Sequence, residues 1–172
     1  MEYIFLSGIH GVGKSTLAKE LKSFIDIKSI SVSDLIRQAG KKLDSSNKKT
    51  ENISQNQELW KNELNNLELG ISKLLLDGHF CLLDVKREIT PLPFTTFENT
   101  DMTKIIFMKN NPTIIRERLL KRDGTDYPIK LLENLQFCEM QQAMKYSTEK
   151  GINLFIYDEK HPLSELLNFI TN

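Results

Sequence analysis

The sequence predicts a single α/β domain of three layers, with a five-stranded parallel sheet between two layers of helices. Three observations carry this expectation. Short apolar runs alternate with stretches of helical periodicity along the whole chain. The 172 residues, 40% of them hydrophobic, suit one domain with a real core. A glycine-rich loop joins the first apolar run to the first helical stretch, and no linker or internal repeat interrupts the rest of the chain. Parallel strands need crossover connections, and helices lying on both sheet faces supply them.

Tyr3-Ile4-Phe5-Leu6 reads as a short buried strand. Residues 15–25 read as a helix with Leu17, Ala18, Leu21, Phe24 and Ile25 on its apolar face. Residues 27–32 form a second strand. Ser33-Asp34 then open a helix whose apolar face is Leu35, Ile36, Ala39 and Leu43. Residues 41–56 are polar, either a loop or a weak helix. Helical spacing returns through Leu59, Trp60, Leu64, Leu67 and Ile71. A third strand lies within 74–83, interrupted at Asp77-Gly78-His79, and 88–99 is loop with Pro91 and Pro93 as breakers. Residues 104–108 are a buried strand. Pro112 opens a helix at the first-turn position that suits it, carrying Ile114, Ile115, Leu119 and Leu120. After a turn at 124–128, a long helix covers 129–150 with Gly151 as its cap. A fifth strand (152–157) and a last helix (162–170) complete the chain.

The loop between the first strand and helix is Gly8-Ile9-His10-Gly11-Val12-Gly13-Lys14-Ser15. It fits G-x-x-x-x-G-K-[ST], the phosphate-binding loop of nucleoside triphosphatases and kinases, in the strand–loop–helix context that the motif requires. Glycines let the backbone approach a phosphate closely. The N–H groups of Gly8, His10, Gly11, Val12 and Gly13, with the helix N-terminus behind them, present positive potential to an anion. Lys14 adds a full charge between β- and γ-phosphates. Ser15 offers a hydroxyl to Mg²⁺, and Thr16 reaches toward an α-phosphate. ATP and Mg²⁺ are therefore the expected ligands.

Composition narrows the partners. The formal net charge is zero, so no global field favours nucleic acid or an anionic membrane, and no basic–aromatic stripe is present. The basic run at 40–49 reads as a solvated loop. No apolar run approaches the roughly 18 residues that would suggest a membrane span. Met1 leads straight into the first strand, so a cytoplasmic location is expected, with a monomer as the default. The two cysteines, Cys81 and Cys138, show no metal-ligand spacing, and Cys81 reads as a core residue.

Three further clusters carry chemistry. Ser31-Val32-Ser33-Asp34-Leu35-Ile36-Arg37 puts hydroxyls, an acid and an arginine at a strand-to-helix junction. Leu74-Leu75-Leu76-Asp77-Gly78-His79 ends an apolar strand in an acid, which suits a metal site beside a phosphate loop. Asp84, after the apolar Phe80–Leu83 run, competes with Asp77 for that role. A lone histidine such as His79 is more often structural than reactive. Arg118 and Arg122 lie four apart on one helix face, with Arg116 pointing elsewhere. The ordinary readings are a capped helix with a solvent arginine for the first cluster and a solvated basic helix end for the last.

With the phosphate loop, these segments resemble the nucleoside monophosphate kinases, and most of all the archaeal-type adenylate kinases. Residues 31–37 resemble the acceptor segment Ser/Thr-x-Gly-Asp-Leu-Leu-Arg. Asp77-Gly78-His79 resembles the Asp-Thr-His of the archaeal-type enzymes, Pro91-Leu92-Pro93 their proline loop, and 118–123 their short lid. The resemblance implies a sheet order of 2-3-1-4-5, an acceptor segment at about 33–73 and a lid at about 116–128. It implies that Ser33 (or Ser31), Asp34 and Arg37 hold a small-molecule acceptor. Asp77 would serve Mg²⁺ or orient the acceptor, while Lys14, Arg118 and Arg122 would act on the phosphoryl group in transfer. Two departures stand out: no Pro-Arg follows Asp77-Gly78, and 41–56 has no counterpart. The alternative function is an ATP-hydrolysing switch that acts through a partner.

Overall fold

The computed structural model describes residues 1–40, 53–67, 70, 72–84 and 86–172, with the side chains of 53–57 excepted. Most of the polar segment 41–56, together with Leu43 and Ile71, lies outside the described residues. In chain order the elements are β1 (Glu2–Ser7), α1 (Lys14–Leu21), β2 (Ile27–Ser31), α2 (Val32–Gly40), α3 (Ile53–Asn65), β3 (Lys73–Gly78), β4 (Cys81–Leu83), β5 (Ile89–Pro91), β6 (Asp101–Met108), α4 (Pro112–Asp123), α5 (Ile129–Lys150), β7 (Asn153–Tyr157) and α6 (Leu163–Thr171).

Five strands form a parallel sheet in the order β2-β3-β1-β6-β7. Both faces are covered, and side-chain alternation divides the core between them. Ile4, Leu6, Leu75 and Ile106 face an aliphatic layer with Leu17, Leu21, Leu119 and Leu166. Tyr3, Phe5, Leu74, Leu76, Ile105 and Phe107 face the opposite layer with Leu35, Trp60 and Tyr146. That second layer is aromatic: the rings of Phe5, Phe80 and Phe97 lie 5.0–5.2 Å apart in edge-to-face or tilted contact, the geometry aromatic quadrupoles favour.

Register matters more to function than the core does. Ser31 lies opposite Asp77, Leu6 opposite Asp77, Ser7 opposite Gly78 and Phe107, and Met108 opposite Tyr157. All five strands thus end along one line, and the segments leaving them emerge on one edge of the sheet. In open α/β sheets that edge holds the ligand.

Several elements differ from the sequence expectation. Asp77 and Gly78 belong to β3 rather than interrupting it. The stretch after it holds a second, two-stranded sheet: β4 pairs antiparallel with β5 across Cys81–Pro91, Leu82–Thr90 and Leu83–Ile89. This hairpin gives the last two strands of the main sheet the numbers β6 and β7. Three-residue strands are too short for periodicity to reveal, and Pro91 at the end of an edge strand needs no ladder donor. Helix α1 stops at Leu21, with the Phe24 N–H bonded to the Leu21 carbonyl in a closing turn, so Phe24 is 61% exposed rather than in the core. The apolar face of α2 does pack: Leu35 and Ala39 are buried. Helix α4 shows the ends its sequence announces, with the Asn111 side chain accepting from Thr113 N, Pro112 in the first turn and Gly124 left-handed at the close. Cys81 is buried as expected, but its sulfur touches that of Cys138 on α5, a neighbour that spacing could not reveal. No helix among the described residues is long and apolar enough to cross a membrane.

Candidate phosphate-binding site

Strand β1 delivers the chain into residues 8–13, and α1 begins at Lys14. Gly8 has φ 150°, and a Cβ there would lie 2.6 Å from the Met108 carbonyl oxygen, so only glycine passes under the end of β6. Gly13 caps α1 in the left-handed region at φ 118°, and its carbonyl accepts the first helical bonds from Thr16 and Leu17. Ile9 and Val12 point into the aliphatic core and anchor the loop from below. What remains on the outer side is backbone, the exposed His10, the N-terminus of α1 and the hydroxyl-bearing residues Ser15 and Thr16. That is a preformed anion cradle.

Lys14 folds into this cradle and is only 7% exposed. Its ammonium donates to the Gly8 carbonyl and to the Gly78 carbonyl at 3.1 Å. It pairs with Asp77 Oδ1 at 3.0 Å, with His79 Nδ1 at 3.5 Å. Burial pushes Lys14 down and Asp77 up from their ordinary values, and their mutual attraction opposes both shifts. The rings of His10 and His79 lean on each other at 4.3 Å. Although His10 is exposed at the surface, desolvation of its ring packed against His79, then the charges of Lys14 and Arg122, push it down to about 4, and burial beside Lys14 takes His79 down as well. Both imidazoles are therefore neutral at pH 7, leaving the cationic charge of the cradle to lysine and arginine.

Of the two competing acids, Asp77 stands beside the loop. Asp84 accepts from the N–H groups of Lys86 and Glu88, both at 2.8 Å, and holds the β4–β5 turn together. Among the described residues no group of three or more His, Cys, Asp or Glu side chains is arranged to hold a metal ion. The donors present beside the loop are the Ser15 hydroxyl and the Asp77 carboxylate. Hard oxygen donors of this kind suit Mg²⁺, which keeps several waters and completes its shell with phosphate oxygens.

The cluster of Ser31, Asp34 and Arg37 adjoins this centre through the pairing of Ser31 with Asp77. Ser31, not Ser33, does the local work. Its hydroxyl accepts from Asp34 N at 3.0 Å and donates to Asp34 Oδ2 at 2.7 Å, an N-cap of α2. Asp34 also pairs with Arg37, which is 65% exposed. Ser33 lies on the exposed side of the first helical turn.

The three arginines of α4 separate cleanly. Arg118 lies over the loop, donating to the Val12 carbonyl at 2.9 Å and pairing with Glu159 at 3.1 Å. Arg122 grips Asp123 through two bonds of 2.6 and 2.7 Å, close enough to His10 to affect its titration. Arg116 grips Asp126 instead. A cleft beside the loop is lined by Gly13, Thr16, Met108, Arg118, Tyr157 and Glu159. Asn110 frames it by bonding Glu159 at 2.8 Å.

Two members of this constellation escape sequence reasoning. Glu159 follows the last strand in a polar stretch and carries no pattern. Glu139 does carry one: it is the only charged residue among the buried positions Leu132, Leu135, Ala143 and Tyr146 of α5. An acid on an apolar stripe is a signal that could have been read.

Residues 7–136 match the AAA domain family. The chain belongs to this family of P-loop NTPases. The match begins at the last residue of β1 and so contains the loop, Asp77 and all three α4 arginines. A search of curated proteins gave no match. Among solved structures this AAA domain protein is similar to a gluconokinase from Sinorhizobium meliloti 1021, with a TM-score of 0.50 and 15% identity, over 97% of this chain and 87% of that one. At that identity the likeness is one of fold.

Proposed function

We propose that this protein is an ATP-dependent phosphotransferase of the nucleoside monophosphate kinase type. It would move the γ-phosphoryl group of ATP to a small-molecule acceptor. One observation carries the reading: Lys14 reaches the carbonyls of both Gly8 and Gly78 and the carboxylate of Asp77. The donor loop and the strand end beside the acceptor cluster thus converge on one cation. A pure hydrolase needs no second substrate cluster abutting the loop.

The N–H groups of Gly8, His10, Gly11 and Gly13, with Lys14, Ser15 and Thr16, would hold the triphosphate; the Val12 N–H, which the motif also offers, is instead bonded to the Ile9 carbonyl at 3.3 Å. The cleft at Thr16, Arg118 and Tyr157 would take the nucleoside. Mg²⁺, when bound near Ser15 and Asp77, supplies charge neutralisation between phosphates. Lys14 and Arg118 stabilise the charge of the phosphoryl group in transfer, and Arg122 joins them by exchanging Asp123 for phosphate. Ser31, Asp34 and Arg37 orient the acceptor, with Ser31 in the role that the sequence pattern gives to Ser33. A phosphate acceptor needs no general base. A hydroxyl acceptor would draw on Asp34 or Asp77 as its base, after release from Arg37 and Ser31 or from Lys14. The acceptor unit is assigned to about 33–73 and the lid to about 116–128.

ADP release from Mg·ATP is the deciding measurement. It is run against nucleoside monophosphates, nucleosides and polyhydroxy acids such as gluconate, with Lys14→Ala as the blank. Strong stimulation by a monophosphate is expected. Stimulation only by a hydroxyl compound would move the acceptor class. A slow rate indifferent to every acceptor would mark an ATP-driven switch.

A further inference from the structure

Glu139 is fully buried, yet phosphoryl transfer itself asks nothing of it. Its carboxylate has three donors. Ser7 Oγ lies 2.5 Å and Phe80 N 2.8 Å from Oε1, and Cys81 N lies 2.6 Å from Oε2. Two of the three are backbone N–H groups, which can only donate, and the Ser7 hydroxyl donates as well. These bonds favour the charged form, against burial, which pushes the Glu139 carboxyl up from its ordinary value.

The donors come from two segments that are far apart in sequence. Ser7 ends β1 and is bonded to Gly8, the first residue of the loop. Phe80 and Cys81 directly follow Asp77-Gly78-His79. Lys14 bridges the same two segments from the ligand side, through the carbonyls of Gly8 and Gly78 and the Asp77 carboxylate. Glu139 bridges them from the α5 side. The two opposite charges feel each other across this gap. A leucine or methionine at 139 would fill the space without the desolvation cost of a carboxylate, but it would leave two buried N–H groups unpaired.

We propose that Glu139 is a positioning residue that fixes the distance between the phosphate loop and the Asp77-Gly78-His79 segment, so that Lys14 meets both at once. The assignment rests on the phosphotransferase reading for its catalytic consequence and on the three hydrogen bonds alone for its structural one.

Two variants test it. Glu139→Gln keeps the shape but turns one oxygen into a donor, which cannot accept from Cys81 N or Phe80 N. Ser7→Ala removes a single link and leaves the buried carboxylate held by two amides, so it folds even where the first variant does not. In Glu139→Gln, kcat/KM for ATP should fall about tenfold or more through both constants, with the acceptor KM unchanged. Ser7→Ala should move the same constants less. Amide hydrogen exchange at Phe80, Cys81 and residues 8–13 should speed up in both variants, relative to Ile105 and Ile106 in the central sheet. Unchanged exchange at those amides overturns the proposal. So does a loss of kcat with both KM values intact, because a reduced folded fraction gives that result. The exchange arm needs no nucleotide. Wild-type protein that never turns over ATP would end the phosphotransferase reading, and exchange would still decide whether Glu139 ties the two segments.

Discussion

Lys14 and Arg37 are both cations assigned to phosphate, yet the fold treats them in opposite ways. Lys14 is 7% exposed and held by two carbonyls, a carboxylate and an imidazole. Arg37 is 65% exposed and held by one neighbouring acid a turn away. The donor end is organised by the folded chain itself, because a buried ammonium must have every partner in place. The acceptor end carries no such obligation. Its Ser31–Asp34–Arg37 triplet is satisfied locally, within one or two helical turns, and its arginine can leave Asp34 for a ligand at little cost. Preorganisation at one end and adaptability at the other suit the proposed phosphotransferase, which would keep one donor and meet a separate acceptor.

The sharpest way to break this comparison is Lys14→Ala. Turnover should drop to the level of the uncatalysed control while far-UV circular dichroism stays that of the wild type, and a variant that still turns over ATP removes Lys14 from the reaction. Next comes the split within α4. Arg118→Ala should slow turnover on the order of 10³-fold, whereas Arg116→Ala, whose partner is Asp126, should leave it unchanged. Equal losses from the two would assign the effect to the helix and not to the arginine over the loop.

Arg37→Ala should raise the acceptor KM roughly tenfold, the scale of a charge-assisted hydrogen bond, with the ATP KM untouched. Parallel rises in both constants would erase the distinction between the two ends. The smallest effect concerns acid. His10 and His79 titrate below their ordinary value in the fold, so the unfolded chain takes up protons first as pH falls. Their contribution is therefore complete above 6.5 and declines as pH drops from 6.5 toward about 4, the value of His10. Thermal melts over that range should lose stability toward acid, and His10→Gln should lose less. An identical slope in the variant would show that His10 does not contribute.

How much of the molecule was legible beforehand depends on distance along the chain. The loop was legible because strand, glycines, lysine and helix start are contiguous and each obeys local backbone rules. The three layers were legible because strand alternation and helical periodicity are written into neighbouring residues. The β4–β5 hairpin was not, since three-residue strands leave no period to count. The exposure of Phe24 was not, since helical spacing runs on past Leu21 while the helix itself stops.

What the chain order determined, then, is the cradle: a loop that offers backbone N–H groups, a helix N-terminus and a lysine to an anion. The sequence already favoured Asp77, Arg118 and Arg122 to serve it; tertiary structure decided which partners they take. Asp77 reaches Lys14 only because β3 pairs in parallel with β1, and Asp84 is claimed by its own turn. Arg118 crosses to the Val12 carbonyl while Arg116 turns to Asp126. Glu139 reaches Ser7 across 132 positions of chain. Local patterns specify which groups a segment can offer. Which of them find a partner depends on sheet register and helix packing, and those are settled by burying the two cores.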